Sequence, residues 1–386
     1  MVNEKKVPEI RFEGFAGLWE QASLGSVAEF NPKSLLPDTF EYVDLESVVG
    51  TVLESHRTEN KKTAPSRAQR LAKSGDVFFQ TVRPYQQNNL LFDLPVNNFV
   101  FSTGYAQLRP SIDSNFLLAR IQEDEFVVKV LDYCTGTSYP AITPTNLALI
   151  DIVYPTDPKE QTALGNFFRN LDDTITLKKQ QYEQIINIKK AMLEKMFPKK
   201  GADVPEIRFD GFSGAWEIKL LGDATELYDN LRIPVAESLR KPGETPYYGA
   251  NGIQGYIDGY THDGEYVLVA EDGASDLLNY PVRYVSGRIW ANNHVHVLQG
   301  KAKETNTLYL SYALKVADFQ AVLVGGTRAK LNAGAMKEMS IFITSFEEQI
   351  LIGNFFRNLD NLISAQQEEL EKLQNIKKAC LSKMFV

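Results

Sequence analysis

Residues 165–175 read GNFFRNLDDTI, and residues 353–363 repeat this stretch as GNFFRNLDNLI. Around each copy, apolar side chains recur at alternating steps of four and three residues, the a/d spacing of a coiled coil. The pattern continues over about five heptads in each copy and predicts two long amphipathic helices. The seam comprises Leu164, Phe168, Leu171, Ile175, Tyr182, Ile185, Met192 and Met196 in the first copy, and Ile352, Phe356, Leu359, Ile363, Leu370, Leu373, Cys380 and Met384 in the second.

A single seam of this kind is more typical of a helix in a globular core, but two matching seams favour an antiparallel pair of helices. Asp157-Pro158 is typical of a helix start, and Pro198 of a helix end. Lys178, Lys189 and Lys377 interrupt the seam, and could fix its register or face further helices of a partner protein. The residues predicted to pack against the partner helix are Phe168, Leu171, Ile175, Tyr182, Ile185, Phe356, Leu359, Ile363, Leu370 and Leu373.

A second phrase is also doubled, because VPEIRFEGFAGLWE at residues 7–20 returns as VPEIRFDGFSGAWE at residues 204–217. Each phrase precedes a long variable stretch and then a helix, so the chain is a duplicated module. We predict an α+β protein with two mixed α/β domains, separated by a pair of long antiparallel coiled-coil helices with an internal pseudo-two-fold repeat. The predicted boundaries are 1–157 for the first domain, 158–203 for the first helix and linker, 204–346 for the second domain and 347–386 for the second helix.

The two variable stretches share an apolar frame. GDVFFQTVRPY from Gly75 resembles GEYVLVAEDG from Gly264, and NFVFSTGYAQLRP from Asn98 resembles RIWANNHVHVLQG from Arg288. These segments are predicted strands, with tight turns at Asn-Gly and Asp-Gly pairs. Polar positions differ, since Thr103 and Gln107 stand opposite Asn293 and Val297. The scaffold is therefore duplicated and its polar lining is not.

The composition is that of a globular protein, with 44% hydrophobic and 23% charged residues in 386. No apolar run approaches the roughly 20 residues that a membrane helix needs. The N-terminal residues lack the apolar region of a secretory signal, and the two cysteines show no CxxC spacing. We expect a cytoplasmic protein with reduced thiols.

The sequence supports no catalytic centre. It contains no GxxxxGK[ST] phosphate loop, no GxGxxG after a strand, no GxSxG, and no Asn/Asp-Pro-Pro-aromatic tetrapeptide of amine methyltransferases. His294 and His296 would share one strand face, but no third zinc ligand stands nearby. We therefore predict neither catalytic residues nor a metal site.

A net charge of −8 argues against nucleic-acid binding as a whole-molecule average, but basic residues concentrate between His56 and Tyr85. Arg can read guanine, and Asn or Gln can read adenine, whereas Lys and Arg also contact phosphates. The alternative is a solvated basic loop followed by an amide-rich turn, which composition alone favours. The DNA-binding candidates are Arg57, Lys61, Lys62, Arg67, Arg70, Gln80, Thr81, Arg83, Tyr85, Gln86, Asn88 and Thr103, with Tyr247, Tyr248, Asn251, Asn292, Asn293, His294, Thr327, Arg328 and Lys330 in the second domain.

The doubled PEIRF phrase, the doubled GNFFRNLD helix and the variable domain before each helix resemble the specificity subunit of type I restriction–modification systems. The segments TPYYGANGIQGY and APSRAQRLAKSGDVFFQTVRPY are similar to target-recognition domains of that family. The resemblance implies that each domain reads one half of a split DNA target. Because the two frames match but their polar positions differ, we predict that the two half-sites differ. It also implies that the helices set the spacing between the half-sites.

The same resemblance implies partners. Methyltransferase subunits, expected to be two, would dock on the helices and bring S-adenosylmethionine, and an ATP- and magnesium-dependent motor–nuclease would complete the complex. This chain would direct those enzymes and perform no chemistry itself. One rival is an enzyme acting alone, which would need a methyltransferase signature. The other is a coiled-coil scaffold with two protein-binding domains and no sequence-specific DNA binding.

Overall fold

The structure, a computed structural model, describes residues 7–136, 138–272, 274–277, 279–323 and 330–386. The chain divides into two compact units. Unit 1 contains Met1–Gln180 and Glu368–Val386, and unit 2 contains Gln181–Gln367. Each unit therefore combines one globular domain with part of both long helices.

Unit 1 contains two four-stranded sheets and a cluster of short helices. Its strands are β1 (Glu20–Ser23), β2 (Ala28–Phe30), β3 (Thr39–Val43), β4 (Val48–Val49), β5 (Val52–Leu53), β6 (Arg57–Asn60), β7 (Ala68–Leu71), β8 (Asp76–Gln80), β9 (Leu90–Phe92), β10 (Phe99–Ser102), β11 (Tyr105–Pro110) and β12 (Asp151–Tyr154). Its helices are α1 (Leu24–Val27), α2 (Ser114–Ile121), α3 (Asp124–Asp132), α4 (Pro144–Ala148) and the start of α5 (Pro158–Lys195).

The sheets of unit 1 have the strand orders β6-β3-β10-β7 and β2-β11-β8-β9, and only the β3–β10 pair in them is parallel. Aromatic side chains from both sheets form one core, in which Phe78 and Phe101 stack with ring centres 3.6 Å apart. A second core joins β8 and β11 to α2 and α3 through Phe79, Leu117 and Phe126. The helices therefore cover one sheet and leave the strand-end loops at the surface.

Unit 2 contains one six-stranded sheet in the order β14-β19-β17-β18-β15-β16, together with a two-stranded sheet of β13 and β20. The strands are β13 (Glu217–Leu220), β14 (Thr225–Leu227), β15 (Thr245–Gly249), β16 (Gly252–Ile257), β17 (His262–Ala270), β18 (Val282–Ala291), β19 (Val295–Gly300) and β20 (Ser340–Ile343). The helices are α6 (Leu221–Ala224), α7 (Thr307–Lys315), α8 (Ala333–Lys337) and α9 (Phe346–Met384). The predicted α+β class is confirmed.

The two long helices run antiparallel within each unit. In unit 1, Lys178 pairs with Glu369 at 2.8 Å and Lys377 pairs with Asp172 at 2.5 Å. In unit 2, Lys189 pairs with Asp360. In unit 1, residue numbers rise from Asp172 to Lys178 on α5 as they fall from Lys377 to Glu369 on α9, which is the antiparallel direction. In unit 2 they rise from Lys189 to Phe197, just past the end of α5, as they fall from Asp360 to Phe356 on α9. The lysines that interrupt the seam therefore support its register.

Burial along the helices follows the predicted seam. Leu171, Ile175, Leu370 and Leu373 are half-buried in unit 1, and Tyr182, Ile185, Leu359 and Ile363 are half-buried in unit 2. Phe168 and Phe356 are only 2% and 0% exposed because they pack into the cores of their own units. Phe168 and Phe356 therefore pack against their globular domains as well as along the helical seam.

The repeated PEIRF phrase fastens each domain to its helices. In unit 1, the Arg11 guanidinium donates two hydrogen bonds to the buried carboxylate of Glu160, at 2.6 and 2.7 Å, and a third to the carbonyl of Gly17. The amide of Ile10 donates to the carbonyl of Lys383 at 2.9 Å. Trp19 then packs edge-on against Phe385.

Unit 2 reproduces these contacts with the second copy of the phrase. Arg208 binds Glu348 at 2.7 and 2.8 Å, and Ile207 donates to the carbonyl of Lys195 at 2.9 Å. Trp216 packs against Phe197, as Trp19 does against Phe385. The phrase is repeated because each unit needs the same joint. Among the described residues, no helix combines the length and the apolar character required to cross a membrane.

Candidate nucleic-acid interface

The first candidate surface is formed by the loop after β8 in unit 1. Arg83 has a left-handed backbone (φ 54°) and precedes a 3-10 turn at Pro84–Gln86. Its amide donates to the carbonyl of Pro140 at 2.8 Å, and its guanidinium lies 4.4 Å from the ring centre of Tyr139. These contacts position Arg83 beside Tyr85, which is 50% exposed.

Two residues predicted to contact DNA in this loop point inward. Gln80 and Thr81 are 2% and 5% exposed. The side-chain nitrogen of Gln80 donates to the carbonyl of Val82 at 2.7 Å and to the side-chain oxygen of Gln86 at 2.8 Å. The hydroxyl of Thr81 donates to the carbonyl of Gly104 at 2.8 Å. These bonds occupy the side-chain nitrogen of Gln80 and the hydroxyl of Thr81. The prediction is corrected for Gln80 and Thr81, which shape the loop.

Other predicted residues of unit 1 adjoin this loop. The amide of Thr103 donates to the carbonyl of Arg67 at 2.8 Å, and the side-chain oxygen of Asn88 accepts from the amide of Gly50 at 2.8 Å. We define surface A as the exposed and half-buried side chains of Arg67, Arg83, Tyr85, Gln86, Asn88, Thr103 and Tyr139. Tyr139 was not predicted, because its contact with Arg83 joins distant parts of the chain.

The basic run of the sequence does not form one patch. Arg57 lies on β6 and Arg70 on β7, which are opposite edges of the same sheet, about 14 Å apart at ordinary strand spacing. Arg57 is paired with Asp44 at 2.7 Å and with Glu59 at 2.9 Å. Carboxylates therefore already compensate its charge, which weakens the prediction that Arg57 contacts phosphate.

The remaining cations of the run differ in exposure. Lys61 and Lys62 are both exposed after β6, but Lys61 donates to the carbonyl of Leu36 at 3.2 Å. Arg70 is half-buried, and its burial lowers the pKa of the guanidinium. Across the described parts of the chain, neither Lys62 nor Arg67 forms an ion pair with a carboxylate. Lys62 and Arg67 are thus the best-placed phosphate contacts of this run.

In unit 2, three loops containing predicted residues come together. The side-chain oxygen of Asn251 accepts from the amide of Ser275 at 2.9 Å. The imidazole of His294 lies 2.5 Å from the carboxylate of Asp272, and the backbone of Asp272 bridges to Lys330. The structure thus brings Asn251, His294 and Lys330 together from separate segments, and their contact with DNA stays a prediction.

Three predicted residues of unit 2 are interior. Tyr247, Tyr248 and Asn292 are 1%, 8% and 4% exposed. The hydroxyl of Tyr247 accepts from the amide of Val235 at 2.9 Å, and the side-chain oxygen of Asn292 accepts from the amide of His294 at 2.8 Å. The prediction is corrected for all three, because they support the loops from below and leave little surface for a base.

Sequence reasoning missed several polar residues beside this cluster. Gln254 and Tyr256 are exposed on β16 at the edge of the sheet. The guanidinium of Arg283 lies over Gly252, where an added Cβ would come within 3.0 Å of it. The Asn292 amide also approaches Gln254 at 3.4 Å. Gln254 and Tyr256 could have been predicted from the alternating pattern of GIQGYI. Arg283 could not, because only the folding of β18 against the β15–β16 turn brings it next to Gly252.

We define surface B as the exposed side chains of Asn251, Gln254, Tyr256, Arg283, Asn293, His294 and Lys330. Thr327 and Arg328, which were also predicted here, lie outside the described residues. The two surfaces share one position relative to their frames, since Thr103 of surface A lies in the turn that joins β10 to β11, and Asn293 and His294 of surface B lie in the turn that joins β18 to β19. The side chains at this shared position differ.

An ionic network lies beneath surface B. Asp229, Glu271 and His296 bring possible ligand atoms within 4.8 Å of one another. However, the His296 nitrogens are engaged by Asp229 at 2.6 Å and by the carbonyl of Leu331 at 2.8 Å, and Arg232 binds Glu271 at 2.6 Å. The imidazole of His296 and the guanidinium of Arg232 already bind the two carboxylates that would hold a metal ion, so we assign no metal to this cluster.

The network also holds Glu271 ionised. Burial alone would raise the pKa of its carboxyl, but hydrogen bonds from Arg232 and Lys330 outweigh burial, and the pKa lies below its ordinary value. His294 and His296 do not form the shared face that the sequence suggested. His294 is exposed before the start of β19, and His296 is buried within the strand.

Parts of this sequence are similar to known proteins. Residues 214–375 match the type I restriction modification DNA specificity domain. A putative type I restriction enzyme specificity subunit of Haemophilus influenzae is 43% identical over 148 residues, which are 38% of this chain and 38% of that protein. A putative type I specificity subunit of Mycoplasma pneumoniae is 33% identical over 136 residues, or 34% of this chain and 36% of its own length. The matched segments thus span well under half of these relatives.

Solved structures agree with the fold. A crystal structure of the S subunit of a type I restriction–modification system from M. genitalium has a TM-score of 0.72 at 16% identity, covering 98% of this chain and 99% of that one. A chain from a study of complex assembly and conformational transition of a type I system has a TM-score of 0.53 at 21% identity, covering 95% and 97%. Residues 214–375 thus match the DNA specificity domain, parts of the chain are similar to putative type I specificity subunits, and the chain shares the fold of a solved S subunit.

Proposed function

We propose that this chain reads an asymmetric, bipartite DNA sequence for a type I restriction–modification complex, with surface A reading one half-site and surface B the other. The observation that carries the proposal is the duplication of one frame with two different polar surfaces. A duplicated frame presents both surfaces in equivalent settings, and unlike side chains would select unlike bases. A symmetric target would call for matching surfaces.

The side chains of surface A suit base and phosphate recognition. Arg83 is fixed by Pro140 and stacked on Tyr139, so little side-chain entropy is left to lose on binding. A fixed guanidinium can donate two hydrogen bonds to the major-groove edge of guanine. Gln86 is exposed next to it, and Arg67 can neutralise a phosphate. Arg83 is therefore the proposed base-reading residue of the first half-site.

Surface B offers a different set of groups. Arg283 and Lys330 are cationic, and Gln254 and Asn293 can donate to and accept from base edges. Their neighbour His294 is held by Asp272. Because this surface is richer in amides than surface A, the proposal assigns it a half-site of different composition.

Apolar side chains outside the seam support the docking of methyltransferase subunits on the long helices. Leu177 and Ile376 are 54% and 50% exposed in unit 1, and Ile186, Ile188 and Leu362 are 38%, 42% and 44% exposed in unit 2. The seam is occupied within the helix pair, so these residues are left to meet other helices. The helices would in this way both hold partners and set the distance between half-sites.

The catalytic steps are assigned to the partners. Two methyltransferase subunits would carry S-adenosylmethionine, and a motor–nuclease subunit would carry ATP and magnesium, in the cytoplasm. The chain itself is proposed to be non-catalytic, which fits a sequence without phosphate-loop or amine-methyltransferase motifs. A scaffold with two protein-binding domains would use the same helices but would show no base selectivity.

Selection from a pool of randomised duplexes, with the chain bound to its methyltransferase partner, tests this function. The wild-type complex should enrich two separated, unlike half-sites. Arg83→Ala should relax one half-site and Arg283→Ala the other, with a loss of about 1–3 kcal/mol per guanine contact. A uniform loss over all sequences would make either arginine a phosphate contact. Enrichment of no sequence by a folded complex would favour the scaffold.

A further inference from the structure

Unit 1 contains a cavity of about 410 Å³ next to the helix pair. It lies between α2, β9 and the first turns of the GNFFRNLD segment, and its apolar walls include Phe92, Leu118 and Phe168. Asp172 and Lys377, which form an ion pair at 2.5 Å, line its polar side. The volume and the few convergent polar groups are those of a small-molecule site.

The second copy shows what fills the corresponding place in unit 2. The helices α2 and α7 begin in the same way, because Asp113 caps the amide of Phe116 and Asn306 caps the amide of Tyr309, both at 2.9 Å. Counting from these caps places Ala119 of α2 where α7 has a tyrosine, Tyr312. The GNFFRNLD repeat places Asp172 where the second helix has Asp360.

In unit 2, the phenol ring of Tyr312 is 3% exposed and lies against Phe356, with ring centres 5.1 Å apart. Its hydroxyl donates to Asp360 at 2.7 Å, and Lys189 binds the other oxygen of that carboxylate. Unit 1 has the equivalent of each neighbour: Phe168 for Phe356, Asp172 for Asp360 and Lys377 for Lys189. The phenol itself is missing, because Ala119 ends at its Cβ.

We propose that the cavity of unit 1 is a binding site for a small phenolic ligand, whose ring packs on Phe168 and whose hydroxyl donates to Asp172. The apolar walls remove the ring from water, and a hydrogen bond to a carboxylate is stronger than one between neutral groups. This site is independent of the DNA-reading function and shares no lining residue with surface A.

Titration calorimetry of the full chain with p-cresol, the side-chain analogue of tyrosine, tests the proposal. Wild-type protein should bind at one saturable site. Toluene, which has the same shape without the hydroxyl, should bind about tenfold more weakly or worse. Ala119→Tyr should abolish binding, because the introduced ring would occupy the cavity from within as Tyr312 does in unit 2. Asp172→Asn should weaken p-cresol at least tenfold and leave toluene unchanged.

Tyr312→Ala provides the matched control, since it should create a second p-cresol site in unit 2. If that variant fails to fold, Ala119→Tyr and Asp172→Asn still decide the outcome, with thermal unfolding confirming that both are folded. Absence of saturable binding to the wild type would overturn the proposal. Unchanged p-cresol binding by folded Ala119→Tyr would overturn it as well.

Discussion

Arg208 donates two hydrogen bonds to Glu348, at 2.7 and 2.8 Å, and the carboxylate of Glu348 is fully buried. Arg208 belongs to the PEIRF phrase at the start of the second domain, and Glu348 lies in the first turn of α9, the helix that follows this domain. The pair therefore connects the start of the domain to that helix. Arg11 and Glu160 form the same pair in unit 1. The joint is thus built twice from the same two residue types.

Arg208→Ala should destabilise unit 2 by about 3–5 kcal/mol, because it leaves the buried carboxylate of Glu348 without a countercharge. Denaturant unfolding measures the loss. Lys199→Ala is the control, since the exposed pair of Lys199 with Glu206 should contribute nothing measurable. Equal stability of the Arg208 variant and the wild type would contradict the role of the joint.

Gly165→Ala should destabilise unit 1, because a Cβ at this helical position would lie 2.6 Å from the backbone nitrogen of Phe116. Separating the helix from α2 enough to fit a methyl group should cost about 1–3 kcal/mol. Gly334→Ala in α8 is the matched control, as a Cβ there meets no atom within 4 Å. We expect that variant to be as stable as wild type or slightly more so. Thermal unfolding of both variants compares them, and equal midpoints would refute the close approach.

The helices could be predicted from the sequence because a heptad seam is a local pattern that survives into the structure, with Leu171 and Leu370 half-buried as expected. Strand register was harder. Aligning the two domains at Gly75 and Gly264 makes Gln80 equivalent to Val269. In the sheets, however, Gln80 lies opposite Tyr105, and the residue at the same place in unit 2 is Ala270, opposite Val295. The sequence alignment is therefore wrong by one residue in this strand. A one-residue slip exchanges the two faces of a strand.

The candidate interface was predicted only in outline. Gln80 and Asn292 are amides in exposed-looking loops, but backbone groups of the same loops turn their side chains inward. Arg57 and Arg70 are neighbours in sequence and lie on opposite sheet edges. Arg283 reaches surface B by packing over Gly252, a contact between separate strands that leaves no local pattern in the sequence.

Arg67→Ala should lower the dependence of DNA affinity on salt concentration, reducing the slope of log K against log salt by about 1. The reason is the loss of one phosphate contact and its released counterion. Arg57→Ala should change the slope less, because Asp44 and Glu59 already bind that guanidinium. The measurement is affinity of the complex for one duplex across a salt series. Identical slopes for Arg67→Ala and wild type would remove Arg67 from the interface.

The stability of unit 2 should fall as the pH drops below about 6.5, the ordinary pKa of histidine. His262 is 2% exposed, its Nε2 donates to the carbonyl of Tyr228 at 3.1 Å, and burial lowers its pKa. The unfolded chain therefore takes up a proton that the folded chain resists until the pH reaches the lower folded-state pKa. The contribution is complete above pH 6.5 and is lost as the pH falls through that lower pKa.

His262→Gln should flatten this part of the pH profile. Denaturant midpoints between pH 5 and 8 compare the variant with the wild type. A variant that keeps the full pH dependence would assign it to another group.

The proposal that this chain selects DNA sequence for its partners is tested most directly by sequencing methylated bases in a host that carries the methyltransferase subunit. The comparison is between cells with this chain, cells without it, and cells with Arg83→Ala. We expect a split, non-palindromic motif that requires the chain and loses stringency in one half with the variant. Methylation that is unchanged by the chain, while the partner is folded and bound, would contradict the account.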